Sequence, residues 1–128
     1  MSLKDQIQIL VVDDMSTSRA LIVQALESMG IANIHHAASG ADAIGLLAAK
    51  PVHLVLSDYN MPGMDGIELL RALRGNAKTK GIGFILITGK ADKEIVDSGK
   101  ALGMNNFIKK PFGAPDLRAC LEAVVGRL

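Results

Sequence analysis

The chain is poor in the features that mark several protein classes. It has a single cysteine, Cys120, so no internal disulfide can form. Cys120 sits at an apolar position of a helical pattern, where packing accounts for it better than redox chemistry. No apolar run approaches the roughly 20 residues that cross a bilayer. The opening MSLKDQIQ also lacks the basic and apolar regions of a secretory signal. No membrane insertion is expected, and a cytoplasmic location is. No block of one charge exists either: 14 basic and 13 acidic residues leave a net charge of +1, which disfavours nucleic acid and anionic membrane as partners. Repeats, low-complexity tracts and linkers are missing too. At 128 residues and 49% hydrophobic, residues 1–128 fit one domain with a core of its own, no output domain, and a monomeric state.

Short β-type runs at residues 7–12, 33–37, 53–57, 83–88 and 105–109 alternate with helical patterns. That alternation predicts an α/β fold, a parallel sheet with helices on both faces. IQILVV, HLVLS and GFILIT are nearly continuous in apolar character and rich in β-branched residues, so they read as central strands buried on both sides. Helix starts are signalled by Ser16, by Ser39 with Asp42, and by Asp65 with Glu68. Gly30, Gly75 and Gly103 sit where helices should stop, and Pro115 suits the first turn of the last helix. The segment 91–102 contains Gly99 and only a modest stripe of Ile95, Val96 and Leu102. Its helix preference is low, and it is expected to be the most mobile helix.

The polar residues that interrupt this pattern fall at strand ends. Asp13 and Asp14 follow the first strand, Asp58 the third, Thr88 and Lys90 the fourth, and Lys109 and Lys110 the fifth. Carboxyl ends of strands are where open α/β sheets bind ligands. Taken singly, an Asp pair is a common loop, NMPGMDG a turn, and KKPF a surface segment. Together they place three carboxylates, a hydroxyl and an ammonium on one edge. Carboxylates about 4 Å apart repel by a few kcal/mol per pair at an effective dielectric near 20. A hard cation with oxygen ligands removes that conflict. Magnesium suits the set, because it takes one or two carboxylates and leaves positions open for phosphate oxygens. His35, His36 and His53 lie away from this edge, so zinc is not indicated. Asp58, central and backed by a strand, has the placement of a nucleophile toward a phosphoryl group, with Lys110 and Thr88 able to meet its oxygens.

LVVDD at 10–14, SDYNMPGMDG at 57–66, ILITG at 85–89 and KPF at 110–112 together resemble the receiver domains of two-component response regulators. With DDMSTSR and no output domain, the chain looks most like the single-domain CheY-type chemotaxis regulators. The resemblance implies a flavodoxin-like (βα)5 doubly wound sheet of strand order 2-1-3-4-5, an order the general rule for such folds also describes. It implies that Asp58 accepts a phosphoryl group from a kinase phosphohistidine. Asp14 would hold magnesium directly, Asp13 partly through water, and Asn60 through its main-chain carbonyl. Lys110 would bind the phosphate, and its bond to Pro111 would be cis. Thr88 and Phe107 would be the switch pair. Three positions depart from the chemotaxis pattern. Phe107 lacks the hydroxyl of the usual tyrosine, Lys90 stands where an acidic residue is found, and Met15 where an aromatic is common.

These residues describe a phosphoacceptor and not an enzyme with turnover. The partners implied are a histidine kinase of the chemotaxis type and, downstream, a flagellar motor switch protein or a histidine phosphotransfer domain. A phosphate sink with no target, or a phosphorelay intermediate, would use the same site. A haloacid-dehalogenase-like magnesium phosphatase also uses a strand-tip Asp, but its general acid two residues on is Asn60 here. A flavodoxin-like FMN carrier would need amides and hydroxyls where Asp13 and Asp14 stand.

Overall fold

The computed structural model describes residues 3–89 and 93–128. Its strands are β1 (Ile9–Val12), β2 (Ile34–Ala37), β3 (Leu54–Asp58), β4 (Gly83–Thr88) and β5 (Asn106–Lys109). All pair in parallel, in the order β2-β1-β3-β4-β5. A single turn, α1 (Leu3–Gln6), precedes the sheet. The crossovers are α2 (Ser16–Ser28), α3 (Gly40–Ala49), α4 (Gly66–Arg74) and α5 (Lys93–Ala101), and α6 (Ala114–Val125) follows β5. The fold is thus the flavodoxin-like doubly wound sheet.

The continuous apolar runs resolve into two cores because successive strand side chains point to opposite faces. Ile9, Val11, Leu54, Leu56, Ile85 and Ile87 pack on one face with Ile22 and Leu26 of α2 and Leu117 and Leu121 of α6. Leu10, Val12, Val55, Phe84 and Leu86 pack on the other with Ala43 and Leu47 of α3 and Ile67, Leu70 and Leu73 of α4. β1 and β3 are buried throughout, whereas the edge strands β2 and β5 are only partly so. Helix α5 buries little beyond Gly99, which lies so close to Met104 that a Cβ there would overlap its sulfur.

Several boundaries differ from the sequence reading. Residues 7 and 8 stand outside β1, because the Ile7 N–H closes the α1 turn on the Leu3 carbonyl at 2.9 Å. β2 and β5 each start one residue later than expected. β3 starts at Leu54 and runs through Asp58, which pairs with Ile87. Ser16 is not a cap: Met15 holds that position with no side-chain cap bond. The Asp13 carboxylate instead accepts the Met15 N–H at 3.0 Å, turning the chain one step earlier. The Ser39 side chain accepts from the Asp42 N–H at 3.0 Å, and Asp65 and Glu68 form both halves of a capping box. Pro115 lies in the first turn of α6. Of the segment expected at 91–102, Lys93–Ala101 is helical; Lys90, Ala91 and Asp92 lie outside the described residues.

The start of α4 is docked on the end of β3. The Gly66 N–H donates to the Tyr59 carbonyl at 2.9 Å. A Cβ at Gly66 would come within 2.6 Å of the Asp58 carbonyl and 2.7 Å of a Leu86 methyl. Gly66→Ala should therefore force the helix off the strand tip and cost about 1–3 kcal/mol, as overpacking does. Chemical denaturation against wild type checks this, and an unchanged midpoint would show that α4 can shift freely.

Candidate functional site

Register places the acidic residues together. Val12 pairs with Ser57, so the residues that follow each, Asp13 and Asp58, leave neighbouring parallel strands at one level. Asp14 is the next residue along. One oxygen from each of Asp13, Asp14 and Asp58 lies within 4.8 Å of the others. Asp13 is fully buried, Asp58 is 6% exposed, and Asp14 is exposed.

Lys110 closes the site from the β5–α6 loop. Its Nζ lies 3.2 Å from Asp58 Oδ1 and donates to Ser18 Oγ on α2 at 3.4 Å. The Lys110–Pro111 peptide is cis, and the Lys110 N–H donates to the Thr88 carbonyl at 2.8 Å. Lys109, paired with Thr88 in the ladder, is exposed. Thr88 is buried to 2% and, with Tyr59, Asn60 and Gly89, lines a cleft beside Asp58. Phe107 is half-buried against the core on the α3–α4 face.

The histidines stand apart from this cluster. His35 Nε2 meets the Gln8 side-chain oxygen at 2.8 Å, and His53 Nδ1 accepts the Gln8 N–H at 2.9 Å. Both contacts lie at the amino end of the sheet. Cys120 is buried, and its thiol donates to the Phe107 carbonyl at 3.6 Å; burial pushes its pKa up.

Two features fit an oxygen-seeking cation. Among the described residues, Asp13 Oδ2 is the buried side-chain oxygen with no hydrogen-bond partner, and native folds rarely leave such an atom unsatisfied. Burial also pushes the Asp58 carboxyl above its ordinary value; Lys110 pulls it down, while Asp13 and Asp14 push it further up. A bound cation would relieve both. The all-carboxylate donor set suits magnesium better than a metal preferring nitrogen or sulfur.

Supporting residues were not signalled by spacing. Ser18 steadies Lys110, the Ser57 hydroxyl donates to the Asp58 carbonyl at 3.0 Å, and the Arg19 guanidinium donates to the Asp13 carbonyl at 2.8 Å. Their partners are the Lys110 ammonium and two main-chain carbonyls, and spacing does not reveal which helix or strand residue will meet them.

A five-stranded α/β sheet with acidic strand ends and a lysine reaching back to the central one defines a class, and the sequence agrees. The response regulator receiver domain matches residues 9–122, and the chain belongs to that family. It is 42% identical over 128 residues to a probable chemotaxis protein CheY of Rhizobium etli, covering 100% of this chain and 99% of that one. It is 35% identical over 126 residues to chemotaxis protein CheY-3 of Vibrio cholerae, covering 98% and 97%. Among solved structures, Vibrio cholerae CheY4 has a TM-score of 0.86 at 29% identity, over 92% of this chain and 98% of that one.

The raised Asp58 pKa has a sign that can be tested. An acid that binds its proton more tightly when folded loses stability as pH rises from its unfolded pKa through the raised one, and that loss persists above both. In chelator at pH 7, Asp58→Asn should therefore melt above wild type. The gap should close as pH falls through the Asp58 titration. A lower melting temperature for Asp58→Asn at pH 7 would mean that the Lys110 ion pair outweighs burial and the neighbouring charges.

Proposed function

We propose that this chain is a phosphoacceptor switch in two-component signalling, of the chemotaxis type. The observation that carries the reading is the Lys110–Asp58 pair at 3.2 Å, set beside two further carboxylates in a member of the receiver family. Asp58 attacks the phosphorus of a kinase phosphohistidine. An acyl phosphate forms at Asp58, the P–N bond breaks, and its electron pair stays with the imidazole. Lys110 holds a phosphoryl oxygen by a charge-assisted hydrogen bond, and Thr88 donates to another. Magnesium, held by Asp13, Asp14, Asp58 and the Asn60 main-chain carbonyl, would neutralise charge on the transferring group. The chemistry ends in a labelled protein and not in turnover of a free ester.

The output lies in a partner. When Thr88 moves toward the phosphoryl group it vacates space under α5, and Phe107 can turn further inward to fill it. Phenylalanine has no hydroxyl to desolvate, so its inward state is easier to reach than that of tyrosine. Lys93, Lys100 and Lys109, all exposed, rim the surface of α5, β5 and α6 that would read this change. The chemotaxis names of the relatives favour a flagellar motor switch protein there, with a histidine phosphotransfer domain as the other candidate. None of the described helices is long and apolar enough to cross a membrane, in keeping with a cytoplasmic protein.

Acetyl phosphate with magnesium should add one phosphoryl group by mass, and Asp58→Asn should abolish the addition. Label on Ser57 or on a histidine would overturn the assignment. Thr88→Ala should still take up the phosphoryl group but lose the phosphorylation-dependent change in partner binding, measured with and without beryllofluoride. An undiminished response would remove Thr88 from the coupling.

A further inference from the structure

We infer that Arg19 is a positioning residue for the divalent-cation site, holding the Asp13 main chain so that its carboxylate is preset for the metal. This rests on the reading of Asp13, Asp14 and Asp58 as the magnesium site. Nearly every polar atom of Asp13 is tied down. Its N–H donates to the Ala37 carbonyl at 3.1 Å, its carbonyl accepts from Arg19 Nη1 at 2.8 Å, and Oδ1 accepts the Met15 N–H at 3.0 Å. Oδ2 alone is left over, buried and without a partner.

Arg19 closes this turn twice. Its own N–H donates to the Met15 carbonyl at 2.9 Å, while its side chain reaches back over the same turn to Asp13. No side chain caps α2; the Arg19 N–H bond is the first of the helix, and the guanidinium bond ties that first turn to the end of β1. The choice of acceptor is informative. A guanidinium in reach of an acidic cluster would be expected to pair with a carboxylate. Among the described residues, however, the ion pairs are Lys110–Asp58 and Arg118–Glu122. Bound to a neutral carbonyl, Arg19 fixes the geometry and neutralises none of the carboxylates.

Position and charge then act on magnesium affinity with opposite signs. As a nearby cation, Arg19 repels the metal, so its removal should tighten binding if charge were all that mattered. As a clamp, it holds a ligand in place, and loss of groups that orient metal ligands weakens affinity by about tenfold or more.

The test is magnesium affinity of the whole chain, from melting temperature against magnesium concentration, with emission of Tyr59, its single tyrosine, as a second readout. Arg19→Met keeps the apolar stem and removes charge and donors; Arg19→Lys keeps the charge and one donor group. We expect binding to be weakened about tenfold in Arg19→Met and partly restored in Arg19→Lys, with both variants folded in chelator. Unchanged or tighter binding by Arg19→Met overturns the proposal, as does Arg19→Lys matching Arg19→Met. Should the wild type itself show no magnesium dependence, the reading of the acidic cluster falls and this proposal with it.

Discussion

Asp13, Asp14 and Asp58 each bring an oxygen within 4.8 Å of the others, at a place where Asp13 and Asp58 are nearly dry. Like charges so placed repel, and the two apolar cores hold them there. β1 and β3 are locked in register by side chains that alternate between faces: Leu54 and Leu56 go to one core, Val55 to the other. Slipping β3 by one residue would separate the carboxylates. The same slip would turn every one of those side chains to the wrong face. Each buried Leu or Val contributes about 1.5–3 kcal/mol, so several of them together exceed a repulsion of a few kcal/mol per pair. Lys110 offsets part of the remainder.

The two ends of the sheet treat polar groups differently. At the amino end, Gln8 is bonded to both His35 and His53. Arg74 donates to the carbonyls of Lys80, Ile82 and Gly103, and the Asn105 side chain accepts from the Phe84 N–H. That end is closed on itself. At the carboxyl end, Asp13 Oδ2 has no partner, although leaving a buried acceptor unmade costs about 1–3 kcal/mol. Among the described residues, the one such oxygen belongs to the acidic cluster, at the end of the sheet that is not closed on itself.

The sheet, its alternation with helices and the residues at the strand tips were legible because each rests on periodicity or on residue type at a loop. Boundaries were less so, for local reasons. Ile7 continues an apolar run, yet its N–H is taken by the α1 turn. His53 looks like a strand residue, and its backbone does bond Gln8 and Gly83, but its ring takes the Gln8 N–H and the paired register begins only at Leu54. Ser16 has the right hydroxyl for a cap, but Asp13 had already turned the chain. Ser18 and Arg19 could not be singled out. A serine and an arginine on an amphipathic helix are ordinary surface residues until their partners, an ammonium and a main-chain carbonyl, are placed.

Asp58 is embedded in rigid neighbours. Its carbonyl accepts from Ser57 Oγ, the next residue bonds β4 through Tyr59 N–H to the Ile87 carbonyl at 2.7 Å, and α4 begins on the Tyr59 carbonyl. Through Lys110 the carboxylate is also tied to α2. A change of charge at Asp58 therefore cannot be absorbed by moving β3, β4 or the start of α4 without opening a dry core. Helix α5 is the exception. It buries little beyond a glycine, and its apolar contacts, Ile95 foremost, are partial. Displacing it uncovers little apolar surface, so it is the element that can respond at small cost. Rigidity around the carboxylate and looseness in α5 are complementary: under the proposed switch, the first would pass a new charge on to Thr88 or Lys110, and the second would let that displacement reach the surface.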